Sequence, residues 1–334
     1  MRRWHTIVAK AALLVVAAVA AGLPHSSAAQ VIRDDFNGRG FDRMIWAPCP
    51  RSENELSIVR DPALERAVAR LTVRPRQPVL VLGLSVLSRN CRGEDPFDDG
   101  AERAEIWEAP GVRLSFGADV WYGFDMYIDG AVSPREDRLV VGQWKGPRDD
   151  SPMVAQRFDG RVFTITIEQP NRAPDHDPRD TQCRILVAHD ANLPRHAETD
   201  LPHGELLFET AGTEDGPELV IASVGHDARG NIHGGQSCRT GVSVEPHNLL
   251  PDVFGTWVRM VYHLKIAGDE HGLLEVWANG VPIVTVRGQI GFPGRGWNDK
   301  QYFKFGPYRN QNQLPAIYAQ LSRYARGPSK QDVQ

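Results

Sequence analysis

Short runs rich in β-branched and aromatic residues recur along the chain, at 67–73, 79–86, 104–107, 120–128, 138–144, 161–168, 205–208, 257–265, 272–278, 281–286 and 301–308. Gly, Pro, Asp and Asn separate them, and apart from a turn or two near 62–66 no long segment holds a helical period. Strands of this kind bury one face each, so the pattern predicts a mostly antiparallel β-sandwich. The clearest hairpin is 272–286, where Asn279-Gly280 supplies the residues that a tight turn with φ > 0 requires. In its first strand Leu274, Val276 and Ala278 are expected to face the core.

From about 171 to 251 the chain reads as a loop-rich insertion with Asp175-His176-Asp177, His226, His233 and His247, too irregular to form a separate domain. Residues 30–326 are therefore expected to make one all-β domain, followed by a flexible tail at 327–334.

The opening residues change the picture of where the protein works. Arg2, Arg3, His5 and Lys10 precede an apolar run from Ala11 to Ala21 and the small residues Ser27-Ala28-Ala29, the pattern of a secretory signal over 1–29. No later stretch is apolar for long enough to span a bilayer as a helix. A secreted or periplasmic product with no membrane attachment is expected, and as a monomer. The formal charge is −4, and residues 1–29 hold three of the 38 Lys+Arg and none of the 42 Asp+Glu, so it becomes −7 without them. Bulk nucleic-acid binding needs a broad basic surface and is excluded as the expectation; a polyanion would be held by a local patch.

Cys49, Cys91, Cys183 and Cys238 all follow the leader, an even count that fits two disulfides in an exported chain. Four cysteines allow three connectivities; pairing neighbours along the chain favours Cys49 with Cys91 and Cys183 with Cys238. A zinc site of four cysteines is disfavoured by the lack of paired C-x-x-C elements.

Three segments carry candidate chemistry. In 301–309, Tyr302, Lys304 and Tyr308 fall on one face of a strand. In 103–107, Arg103 and Glu105 alternate with Trp107, which reads either as a solvated ion pair or as an arginine held rigid for a substrate carboxylate. In 141–145, Gln143 and Lys145 share one face while Trp144 points to the core, and Gln143 can donate hydrogen bonds to an anionic oxygen.

The blocks Arg103-Ala-Glu105, Trp121-Tyr-Gly-Phe-Asp-Met-Tyr127, Gly142-Gln-Trp144, His263-Leu-Lys265, Gly272-Leu-Leu-Glu-Val-Trp-Ala-Asn-Gly280 and Tyr302-Phe-Lys-Phe-Gly-Pro-Tyr-Arg309 together resemble the polysaccharide lyase family that contains glucuronan lyases and is related to heparin lyase I. The resemblance implies a concanavalin A-like β-jelly roll of two antiparallel sheets whose concave sheet cleaves an anionic polysaccharide, a glucuronan-like uronan foremost, by β-elimination. It assigns Tyr308 to proton transfer and Lys304 to stabilising negative charge. Arg103 and Gln143 are assigned to the uronate carboxylate, with Glu105 orienting Arg103. Lys145, His263, Tyr302 and Arg309 are expected to contact substrate.

Relatives often carry Gln-Trp-His, whereas this chain has Gln143-Trp144-Lys145. An ordinary lysine stays charged at neutral pH and makes a poor base, so Lys145 is expected to bind acidic sugar instead, with His226 or His233 as candidates for an imidazole. No cofactor is needed for bond breaking. Asp34-Asp35 and Asp175-His176-Asp177 offer oxygen ligands for a structural calcium, without the alternating acidic loop that makes such a site specific. Two other functions stay open: a non-catalytic carbohydrate-binding protein, and a glycoside hydrolase, which requires two carboxylates flanking the scissile bond.

Overall fold

The computed structural model describes residues 30–49, 55–75, 78–81, 84–87, 101–134, 138–146, 151–170, 182–192, 207–211, 219–226, 232–233, 241–293, 299–310 and 315–334. The expected leader, Cys91, Cys238 and the Asp175-His176-Asp177 run lie outside them. Two antiparallel sheets form a sandwich. One runs in the order Val242–Pro246, Val281–Gly288, Leu273–Ala278, Val258–Lys265, Asp119–Ile128, Ile317–Gly327, Arg66–Val73 and Glu55–Asp61. The other runs Leu207–Ala211, Leu219–His226, Gln182–His189, Val162–Pro170, Val154–Asp159, Leu139–Lys145, Lys300–Asn310, Glu105–Glu108 and Trp46–Cys49. Helical structure among the described residues is confined to two short 3-10 turns. The jelly-roll expectation holds.

One contiguous core lies between the sheets. Phe124, Tyr262, Leu264 and Val276 enter it from the first sheet, and Trp144, Phe158, Ile165 and Phe303 from the second. Trp144 packs within 4.6 Å of Tyr262 and 4.8 Å of Phe303, centroid to centroid. Leu274, Val276 and Ala278 are buried, and the hairpin turn has Asn279 at φ 50° and Gly280 at φ 80°, as the alternation and the Asn-Gly pair require.

A polar cluster is sealed inside this core. Glu108 accepts hydrogen bonds from the Tyr324 hydroxyl at 2.6 Å, from the Phe303 amide at 2.9 Å and from Arg326. Burial, with Glu108 adding to it, pushes the phenols of Tyr122 and Tyr324 up. Burial works against the Arg326 guanidinium, yet Glu108, Tyr122 and Tyr324 together outweigh it and hold Arg326 above its ordinary value.

The structure departs from the sequence pattern in four places. The segment 171–251, expected as a loop-rich insertion, contributes strands, because Gln182–His189 pairs with Val162–Pro170 and extends the second sheet. The run 79–86 is a hairpin of two strands, Pro78–Val81 and Leu84–Leu87. The strand Ile317–Gly327 was hidden because a bulge at Arg323, with φ 45°, changes its phase: Ile317, Ala319 and Leu321 point inward before it, Tyr324 and Arg326 after it. The residues after 327, expected as a flexible tail, are packed. Ser329 and Asp332 form a capping box, and Val333 is buried against Val261 and Ala325, with Trp121 and Trp277 beside it.

Cys183 is buried and disulfide-bonded. The expected pairings also involve Cys49, Cys91 and Cys238, whose side chains lie outside the described residues.

Candidate active site

The strand Lys300–Asn310 lies inside the second sheet, between Leu139–Lys145 on one side and Ala101–Arg103 and Glu105–Glu108 on the other. Its odd residues Phe303 and Phe305 fill the core, so Tyr302, Lys304 and Tyr308 face outward. Three cross-strand rows result. Lys304 lies between Gln143 and Trp107, Tyr308 between Val140 and Arg103, and Tyr302 opposite Lys145.

Two bulges set these rows. Between Val140 and Gln143 the Leu139–Lys145 strand carries an extra residue relative to Val154–Asp159. Gly142 accommodates the turn inward, since a Cβ there would lie 2.2 Å from Oε1 of the buried Gln156. The second bulge, at Gly306-Pro307, inserts a residue relative to Leu139–Lys145. Gly306 has φ 128°, and a Cβ would lie 2.0 Å from the Ala104 carbonyl oxygen. Bulges commonly re-aim side chains beside active sites. Gly306→Ala is expected to lower stability by about 1–3 kcal/mol and to reduce turnover further by displacing Tyr308, read by urea unfolding alongside steady-state rates; a variant as stable and as active as the parent would refute this.

Glu105 organises the outward face. Fully buried, it accepts a hydrogen bond from Gln143 Nε2 at 2.7 Å and an ion pair from Lys304 Nζ at 3.1 Å, while Arg103 Nη1 lies 3.9 Å away. Its closest partners are thus Gln143 and Lys304, with Arg103 farther away. Lys304 also lies 4.7 Å over the Trp107 ring. A charge pair this deep is preorganised because neither partner can reorient without exposing the other's buried charge.

Tyr308 is flanked by two guanidinium groups, with Arg103 4.3 Å and Arg138 4.9 Å from its ring centroid. Arg138 Nη2 donates to the Tyr308 hydroxyl oxygen at 2.9 Å. The sequence reading missed Arg138. Its one sequence signal was position, just ahead of the strand that carries Gln143. Tyr302 is buried beneath Arg113, 4.0 Å from its centroid, and near Trp107.

Arg103, Gln143, Lys304, Tyr308 and Glu105 therefore converge, with Lys145 and Tyr302 in the adjoining row. Two expected contacts are corrected. Arg309 is buried on the opposite side of its strand, donating to Glu102 at 2.8 Å and to the Pro315 carbonyl at 2.8 Å. Its odd position already assigned it to the core side. His263 lies on the outer face of the other sheet, stacked on Trp121 at 4.1 Å and bonded to Asp119 and Glu275 at 2.6 and 2.8 Å. The side chains of His226 and His233 lie outside the described residues.

Among the described residues no group of three or more His, Cys, Asp or Glu side chains is placed to hold a metal ion. Asp34, one of the proposed oxygen ligands, is already used by the Phe36 amide and the Trp46 indole, at 2.7 and 2.8 Å.

The sequence profile of a family described as polysaccharide lyase matches residues 39–320. No curated protein matches the chain in sequence. Among solved structures, the fold is similar to that of the endo-β-1,4-glucuronan lyase from the fungus Trichoderma reesei, at 12% identity and a TM-score of 0.52, covering 92% of this chain and 98% of that one. An alginate lyase from Klebsiella pneumoniae is matched at 10% identity and a TM-score of 0.45, over 87% of this chain and 98% of its own.

Proposed function

We propose, because this chain belongs to the polysaccharide lyase family, that the outward face around Tyr308 cleaves a polyuronate, with glucuronan the leading substrate, by β-elimination. The family establishes lyase chemistry on an acidic polysaccharide; the substrate and the residue roles are our reading. The observation that carries it is the Tyr308 hydroxyl held by Arg138, beside Arg103 and one row from the Glu105-anchored Gln143 and Lys304. Glucuronan is favoured by the fold shared with the fungal glucuronan lyase and by the sequence motifs.

In this reading, Arg103 and the second amide N–H of Gln143 bind the uronate carboxylate. Neutralising it lets the C5–H bond electrons move toward the carboxyl group as the proton leaves. Tyr308 takes the C5 proton as phenolate and returns a proton to O4 as the C4–O4 bond breaks, leaving a C4=C5 double bond. Arg138 and Arg103 place positive charge where the phenolate oxygen needs it. Lys145 carries charge, not a neutral imidazole, so it contacts acidic sugar and leaves proton transfer to Tyr308.

Ultraviolet absorbance of the unsaturated uronate tests the proposal. Purified protein is incubated with a panel of uronic-acid polysaccharides, and absorbance is expected to rise on glucuronan. A folded protein that gives no rise on any member would overturn it. Arg138→Gln is expected to cut kcat by about 10²-fold with little change in KM, because its charge matters once the proton moves; an unchanged kcat would remove Arg138 from the chemistry.

A further inference from the structure

On the same outward face, beyond the Leu139–Lys145 strand, lies a second cluster of charge. Arg157 Nη2 and Arg184 Nε both donate to one oxygen of Glu168, each at 2.7 Å, and Arg157 Nε donates to Thr166 Oγ1 at 2.9 Å. Glu168 is buried, whereas the Arg157 and Arg184 side chains keep 14% and 24% of their surface exposed. Burial alone would push the Glu168 carboxyl up; Arg184 and Arg157 outweigh it and hold it below the usual carboxylate range. The Glu168 carboxylate is therefore ionised and carries one negative charge against two guanidinium groups, with Arg138 as a further neighbour.

That leaves the cluster with surplus positive charge and donors. Each guanidinium has five N–H groups. Arg184 uses only its Nε among the described residues, so its planar terminal fork is open. Arg157 is pushed down to about 9, first by burial and next by the like charge of Arg184, a penalty that a bound anion would relieve.

The register places this cluster relative to the chemistry. Arg157 pairs with Val140, and Val140 with Tyr308, so their backbones lie two strands apart, roughly 10 Å at ordinary strand spacing, and Arg157 is near enough to feel the charge of Tyr308. That separation exceeds the span of the one sugar ring whose bond is cut. A carboxylate held there belongs to a neighbouring sugar, and the arginine fork matches its planar geometry.

We infer that Arg157 and Arg184 form a second carboxylate-binding position, which takes a uronate neighbouring the one that undergoes elimination. The inference rests on the polyuronate reading of this face. It adds that the substrate carries acid on more than one sugar near the cut.

Direct binding tests it independently of turnover. The Tyr308→Phe protein is titrated calorimetrically with polyglucuronate and, in a second arm, with a sulfated neutral polysaccharide, before and after adding Arg184→Gln or Arg157→Gln. Arg184→Gln leaves Glu168 paired with Arg157 and serves as the variant least disturbing to the fold, with thermal melting as its control. The expected result is polyglucuronate binding weakened at least tenfold by either change, with a shallower dependence on salt. Unchanged polyglucuronate affinity in folded variants overturns the inference, as does dependence on these arginines for the sulfated polymer alone. Both results can be read whether or not the wild-type protein proves to be a lyase on this substrate, which product absorbance shows separately.

Discussion

Replacing Tyr308 by phenylalanine is expected to lower kcat by about 10²–10⁴-fold, the usual contribution of a positioned acid–base group. The substitution deletes one oxygen, the one that accepts from Arg138 at 2.9 Å, and leaves the ring that rests against Arg103 and Arg138. Binding contacts thus persist while the proton carrier is gone, so KM should change far less than kcat and melting temperature should hardly move. A Tyr308→Phe enzyme that retained a tenth or more of the parent's kcat would return the proton-transfer role to another group, with Lys145 the first to examine.

Glu108→Gln is expected to cost about 3–5 kcal/mol of stability, the range for breaking a buried charge pair from one side. Glu108 lies between the sheets and holds Arg326, the Tyr324 hydroxyl and the Phe303 amide at once. Without its charge, Arg326 stays buried with the same desolvation cost and loses the largest of the interactions that offset it. Tyr324→Phe provides the comparison, since it removes one hydrogen bond and no charge and should cost only about 1 kcal/mol. Urea unfolding of the two variants side by side checks the difference. A Glu108→Gln loss no larger than that of Tyr324→Phe would mean that the pair contributes nothing beyond its hydrogen bonds. Because the Phe303 amide belongs to the strand that carries Lys304 and Tyr308, the same variant should also lower activity.

Several parts of the site were legible from alternation alone. Period-two geometry put Lys304 and Tyr308 on one face, set Gln143 and Lys145 opposite the core-facing Trp144, and placed Tyr262 and Leu264 inward beside an outward His263. Arg309 was misread against the same rule: one residue beyond Tyr308, it points to the core side and pairs with Glu102. Strand Ile317–Gly327 escaped because its bulge at Arg323 changes the phase and its inward set includes Arg326. A periodicity argument presumes one phase and apolar inward residues, and this strand breaks both conditions.

By itself the sequence determined the fold class, the strand character of the functional segments and the side of the strand that Gln143, Lys145, Lys304 and Tyr308 occupy, since these follow from backbone geometry within a few residues. The tertiary structure alone decided who meets whom. Glu105 reaches Gln143 and Lys304, and Arg138 reaches Tyr308, across separations of 38, 199 and 170 residues. It also decided that His263, outward on its strand as expected, sits on the other sheet and away from Tyr308. The physical reason is that alternation specifies a face of a strand but not its neighbours: strand order, register and bulges arise from pairing between distant segments, and only that pairing brings these side chains together.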